Sequence, residues 1–110
     1  MNEFQMAFAL VGWHALADFP LQGDFMARGK NHAAPIPGVP WETILASHAV
    51  IHGAGVAYIT GSVVLGLAET LSHAVIDYAK CAGRLTFRQD QAYHLACKAL
   101  WLALLPLGLP

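Results

Sequence analysis

Nine side chains in this 110-residue chain could do chemistry, and all nine fall into sets spaced four apart. The sets are His14 and Asp18; His48 and His52; Glu69, His73 and Asp77; and Asp90 and His94. Residues four apart stack on one face of an α-helix. Imidazole nitrogens with carboxylate oxygens suit Zn, Fe, Mn or Ni. The same groups could instead pair with each other as a structural polar network, or pass protons or ions. Six histidines is a high count for this length, and the surplus needs a reason.

The helices that would present these groups follow from the punctuation of the chain. Residues 4–19 are apolar and end at Pro20, which disfavours helix in the residue before it. Residues 21–40 hold Gly23, Gly29, Pro35, Pro37, Gly38 and Pro40 and read as a loop with room for one short helical turn. From Thr43 to Ala68 there is no Asp, Glu, Lys or Arg over 26 residues, and the apolar pattern runs on to Lys80. That length holds two helices, 43–60 and 63–81, with the turn at Thr60-Gly61-Ser62. A fourth helix covers 89–105 and stops at Pro106. The expected fold is all-α, a single domain over 1–110, built as an up-down four-helix bundle.

Composition decides where such a bundle would live. The chain is 56% hydrophobic and only 12% charged, against about 25% charged in soluble domains. Mean hydropathy is +0.48. Disorder, a disulfide scaffold and a coiled coil are excluded. A net charge of −1 gives no field for nucleic acid. Cys81 and Cys97 read as reduced apolar residues. The expectation is a small polytopic membrane protein, with a soluble bundle as the alternative. The N-terminal stretch has no basic n-region, so no signal cleavage is expected.

Lysine and arginine set the orientation. Arg28 and Lys30 follow the first helix, and Lys80, Arg84 and Arg88 flank the loop after the third. An up-down path puts both loops on one face, which the positive-inside rule makes cytoplasmic. Both termini then lie outside the inner membrane. Lys98 alone departs from this pattern and is expected to snorkel toward an interface. On this topology all four polar sets reach one level near the cytoplasmic face, although none of them entered the assignment. Ionisable groups at membrane depth normally face the bundle interior and pair there.

The expected metal ligands are therefore His14, Asp18, His48, His52, His73, Asp77 and His94, or a subset. Zn is the first candidate, with Fe or Mn as alternatives. Asp90 or Glu69 is the spare carboxylate for general-base work. His32 reads as solvated or near the mouth of the site, and Gln22, Asp24 and Gln91 as capping or lining that mouth. Trp13, Trp41 and Trp101 read as lipid-facing or interfacial anchors. The zincin motif is excluded, because position 49 in His48-x-x-x-His52 is Ala. The E-x-x-H of di-iron bundles is absent.

The ordered set His14-x-x-x-Asp18-Phe-Pro-Leu-Gln22, Lys30, His48, His52, His73-x-x-x-Asp77-Tyr-Ala-Lys80 and Asp90-Gln91-x-x-His94 resembles the bacterial and phage membrane family catalogued as domain of unknown function 3307. The likeness covers nearly the whole chain. More distantly, the chain is similar to membrane proteins labelled metal-dependent hydrolases, which also carry His and Asp on membrane helices. The resemblance implies a membrane metal site but transfers no activity. The function expected is a membrane-embedded metal-dependent hydrolase. Lys30, Lys80 and Arg84 would steer an anionic lipid head group or a small phosphate-bearing substrate. The alternatives are a non-enzymatic interaction protein with a structural polar core, a homo-oligomer included, and a small proton or ion conductor.

Overall fold

Asn2 starts the first helix. Its side-chain oxygen accepts from the Gln5 amide while the Gln5 side chain accepts from the Asn2 amide, both at 2.9 Å. In this computed structural model, which describes all 110 residues, that capping box opens α1 (Glu3–Asp18). Gly23, at φ 63°, then turns the chain into the short α2 (Gly23–Gly29). Pro40 precedes α3 (Trp41–Thr60), which ends at Gly61 in the left-handed region, φ 73°. Ser62 Oγ caps α4 (Val63–Cys81) by accepting from the Leu65 amide. A second capping box, Thr86 with Gln89, opens α5 (Phe87–Leu104), and a 3₁₀ turn at Leu105–Leu107 follows it.

The protein is all-helical, with five helices and no strand. The four long helices fall within two residues of the ranges read from the sequence. The fifth, α2, occupies what was expected to be mainly loop. The fourth long helix begins at 87 instead of 89, because the Thr86–Gln89 capping box supplies an earlier start.

The long helices run up and down, so the α1–α3 connection and the α4–α5 loop share one end. The α1–α3 connection and the adjoining ends of α1, α4 and α5 line a pocket there. At the opposite end the carboxy-terminal Pro110 carbonyl accepts from the Val64 amide and from Ser62 Oγ, at 2.9 and 3.1 Å. The apolar core is small. Leu10, Val56, Leu65 and Trp101 form its buried cluster.

The α3–α4 pair sets the packing distance. Gly53 faces Gly66 across it: a Cβ on Gly53 would collide with Thr70 Oγ1 and the Gly66 carbonyl, and one on Gly66 with Ala57. Close backbone approach of this kind brings the His48–His52 face of α3 up to the Glu69–His73–Asp77 face of α4. Gly53→Val should therefore cost about 1–3 kcal/mol in unfolding free energy by overpacking. Gly12→Ala is the control, because a Cβ there meets nothing within 4 Å. Equal stability of the two variants would refute this account of the packing.

Candidate metal centre

The inward stripes of the four long helices are polar. In α3 the buried positions include 45, 48, 49, 52, 53 and 56, a helical stripe carrying both histidines. In α4 they include Glu69, His73 and Asp77, and in α5 they are Asp90, His94, Lys98 and Trp101. α1 contributes His14 and Asp18. Eleven of the 22 buried residues are polar or charged, whereas seven are apolar. Each of the nine residues singled out by spacing is buried.

Their donor atoms converge. Asp18 Oδ1 lies 3.1 Å from His48 Nε2, 3.1 Å from His52 Nε2 and 3.5 Å from His73 Nε2. The His48 and His73 Nε2 atoms are 3.2 Å apart. Asp77 Oδ2 is 3.4 Å from each of those two nitrogens, and Asp77 Oδ1 is 3.0 Å from His94 Nε2. His94 Nε2 is also 3.4 Å from Asp90 Oδ1. Donors bound at 2.0–2.1 Å to one tetrahedral ion stand about 3.3 Å apart. The distances from Asp18 Oδ1 to His48, His52 and His73 and that between His48 and His73 fit that spacing, all four donors lie within 4.8 Å of one another, and all four residues are buried.

Hydrogen-bond accounting separates the rings. His73 Nδ1 faces Glu69 Oε1 at 3.3 Å, so that nitrogen carries the proton and Nε2 keeps its lone pair in the neutral ring. This is the carboxylate–histidine arrangement that orients a metal ligand. Glu69 is held in turn by Lys98 Nζ on Oε1 and by Trp101 Nε1 on Oε2. His52 differs from the others. Neither of its ring nitrogens has a hydrogen-bond partner, although Nε2 is close to Asp18. The distance is right for a hydrogen bond and the alignment is not.

Gln91 stitches the pocket side. Its Nε2 donates to Asp18 Oδ2 at 2.8 Å and Asp90 Oδ2 at 3.1 Å, and its Oε1 faces His14 Nε2 at 2.9 Å. His14 Nε2 is 3.5 Å from Asp18 Oδ2. Lys30 reaches in from beyond α2 and donates to Asp77 Oδ2 at 2.7 Å. A pocket of about 280 Å³ opens over these groups, lined by Asp18, Gln22, Lys30, Asp77, Lys80, Asp90 and Gln91 among others. Of the two expected base candidates, Asp90 lines this pocket and keeps Oδ1 unpartnered, while Glu69 lies beneath the cluster with both oxygens engaged.

Several expectations need correction. Lys98 does not snorkel outward. It is buried on the α5 stripe, opposite Glu69, because it continues the register of Asp90 and His94. Trp101 is not an outward anchor, since it continues the same stripe and its indole N–H finds Glu69. Trp13 packs on Gly55 and donates to the Ile51 carbonyl at 3.1 Å. Asp24 does not line the mouth; it pairs with Arg28 on the surface, one helical turn away. Arg84 lines no part of the pocket. His32 sits apart from the cluster, stacked on Tyr78 at 3.6 Å between ring centroids.

Sequence spacing could have found Lys98 and Trp101, because 90, 94, 98 and 101 share one helical face. Nothing local announces Lys30 as a partner of Asp77. That contact depends on where the α1–α3 connection packs.

Fold and site together define a small helix bundle with a histidine- and aspartate-rich interior able to hold a metal ion. The chain belongs to the family of proteins of unknown function DUF3307, which it matches over residues 6–106. No curated protein and no solved structure matches it.

Proposed function

We propose that this chain is a membrane-embedded divalent-metal protein whose chemistry is metal-dependent hydrolysis at the pocket end. The observation that carries the metal reading is the convergence of Asp18 Oδ1 with the Nε2 atoms of His48, His52 and His73, drawn from three helices, at 3.1–3.5 Å from that oxygen and all within 4.8 Å of one another. Charge supports it. Asp18, Asp77, Asp90 and Glu69 bring four negative charges into the interior, and Lys30 and Lys98 return two positive ones. With the imidazoles neutral, as metal ligation requires, a divalent cation balances the remainder, which burial otherwise penalises heavily. The nitrogen-rich set favours Zn, then Fe or Mn.

The membrane reading rests on an inverted surface. The interior is polar, while 21 large hydrophobic residues are exposed. Phe4 and Phe8 on α1, Tyr58 on α3 and Leu67, Leu71 and Val75 on α4 project outward. One helix, Trp41–Thr60, is long and apolar enough to cross a membrane by itself. The long axis of 45 Å exceeds a bilayer core of about 30 Å. Packed against α3 with their polar faces inward, the other long helices would present apolar faces to lipid. Arg28, Lys30, Lys80, Arg84 and Arg88 belong to the pocket end, so the positive-inside rule sets that end in the cytoplasm and both termini outside.

A divalent ion in this centre would supply hydroxide near neutral pH by lowering the pKa of bound water to about 7. Asp90 is the pocket-side carboxylate placed to accept a proton. Glu69 suits a positioning role through His73. Lys30 and Lys80 would draw an anionic head group or small phosphate ester into the pocket.

A structural polar core has its own support, since His48 and His94 make aligned hydrogen bonds to Asp18 and Asp77 without any ion. Elemental analysis separates the two readings. Protein extracted in detergent and never exposed to chelator should carry at least one Zn, Fe or Mn per chain, and metal-free protein would refute the metal centre. Resistance to an alkaline carbonate wash is expected of the membrane pellet, and release of the chain into the wash would refute membrane embedding.

A further inference from the structure

The cluster holds more donors than one ion can use. Seven residues converge: Asp18, His48, His52, His73, Asp77, Asp90 and His94. A single transition-metal ion takes four to six ligands. The donors also divide in space. Three Nε2 atoms, from His48, His52 and His73, gather round Asp18 Oδ1. On the pocket side, Asp18, Asp90 and His94 each bring a donor within 4.8 Å of the others.

Two carboxylates face both halves. Asp77 turns Oδ2 to His48 and His73, at 3.4 Å each, and Oδ1 to His94 at 3.0 Å. Asp18 turns Oδ1 to the three-histidine half and also brings an oxygen within 4.8 Å of the His94 and Asp90 donors. A carboxylate whose two oxygens address different donor sets is the usual bridge of a two-metal site, in which the ions stand about 3.5–4 Å apart. Asp90 adds an independent sign. It is 95% buried, yet Oδ1 has no hydrogen-bond partner and lies 3.4 Å from His94 Nε2.

We propose that the centre is dinuclear, with one ion among His48, His52 and His73, a second among His94 and Asp90, and Asp18 and Asp77 bridging them. This rests on the metal reading above and extends it. Asp90 then serves as a ligand, and Gln91 becomes a positioning residue that holds the Asp18 and Asp90 carboxylates on its amide. The second ion leaves the interior with surplus positive charge, which an anionic ligand entering from the pocket would balance.

The test uses the full chain in detergent, equilibrated with Mn(II) alone, with the ion count taken by elemental analysis and the spectrum by electron paramagnetic resonance. Wild-type protein should bind two ions per chain with a spin-coupled signal. Asp90→Asn should bind one and lose the coupling. One ion in the wild type, or two uncoupled ions, would overturn the dinuclear centre, and two coupled ions retained by Asp90→Asn would overturn the ligand role of Asp90. One ion would leave the mononuclear reading standing, and no Mn(II) bound would overturn the dinuclear centre, while the elemental analysis above decides the metal reading itself. The wild-type count and coupling need no substitution, so a poorly folding variant leaves the test decisive.

Discussion

His52→Gln should weaken divalent-metal binding by at least about 100-fold while shifting the metal-free melting temperature by no more than about 5 °C. The contrast comes from the geometry of one ring. His52 is fully buried, lies 3.1 Å from Asp18 Oδ1 and makes no hydrogen bond through either nitrogen. A structural role gives its ring atoms no polar work, so a glutamine of similar bulk should be tolerated. A ligand role makes Nε2 one of four donors round an ion, and removing a direct ligand exceeds the 10–100-fold loss typical of supporting groups. Competition against a chromogenic zinc chelator measures the affinity, and circular dichroism follows the metal-free melt. Unchanged affinity with intact helicity would remove His52 from the centre.

Lys98→Met should destabilise the protein by about 3–5 kcal/mol, the range for breaking a buried ion pair from one side. Glu69 is almost wholly inaccessible, and Lys98 is its only lysine or arginine partner. Methionine keeps the length of the side chain and leaves the carboxylate charged in an interior it cannot leave. Adding Glu69→Gln to Lys98→Met should restore much of the loss, because the amide needs no counter-ion and its oxygen can still accept from the Trp101 indole. Denaturant unfolding in mixed micelles measures both variants. A loss below about 1 kcal/mol for Lys98→Met would mean that water reaches the pair. Metal affinity should also fall in Lys98→Met, since Glu69 fixes the His73 ring through Nδ1.

Much of this site was legible as spacing. His14 with Asp18, His48 with His52, Glu69 with His73 and Asp77, and Asp90 with His94 each fix one face of one helix, and all nine residues are buried together. A lysine in an apolar helix, taken alone, is a cost that points it outward, but the register of Asp90 and His94 carries Lys98 inward one turn further on, where it meets Glu69. The amphipathic ring of Trp101 suits an interface by type, yet the same register turns it to an internal acceptor. Asp24 followed the first helix closely in sequence but faces solvent, since Gly23 turns the chain and starts a new helix with its own exposed side.

The sequence by itself determined the long helices, their caps and turns, and the polar stripe that each one carries. These are local properties, set by 3.6-residue periodicity and by Asn2, Gly61, Ser62 and Thr86 at the ends. Tertiary structure decided which oxygen of each aspartate meets which ring, that Glu69 lies under His73 and not at the pocket, and that Lys30 closes on Asp77 from 47 residues away. Those distances depend on how closely α3 and α4 approach at Gly53 and Gly66, and on where the α1–α3 connection folds back. Helical spacing fixes the face a donor occupies, but only packing fixes the last ångström between donors on different helices, and coordination is decided in that last ångström.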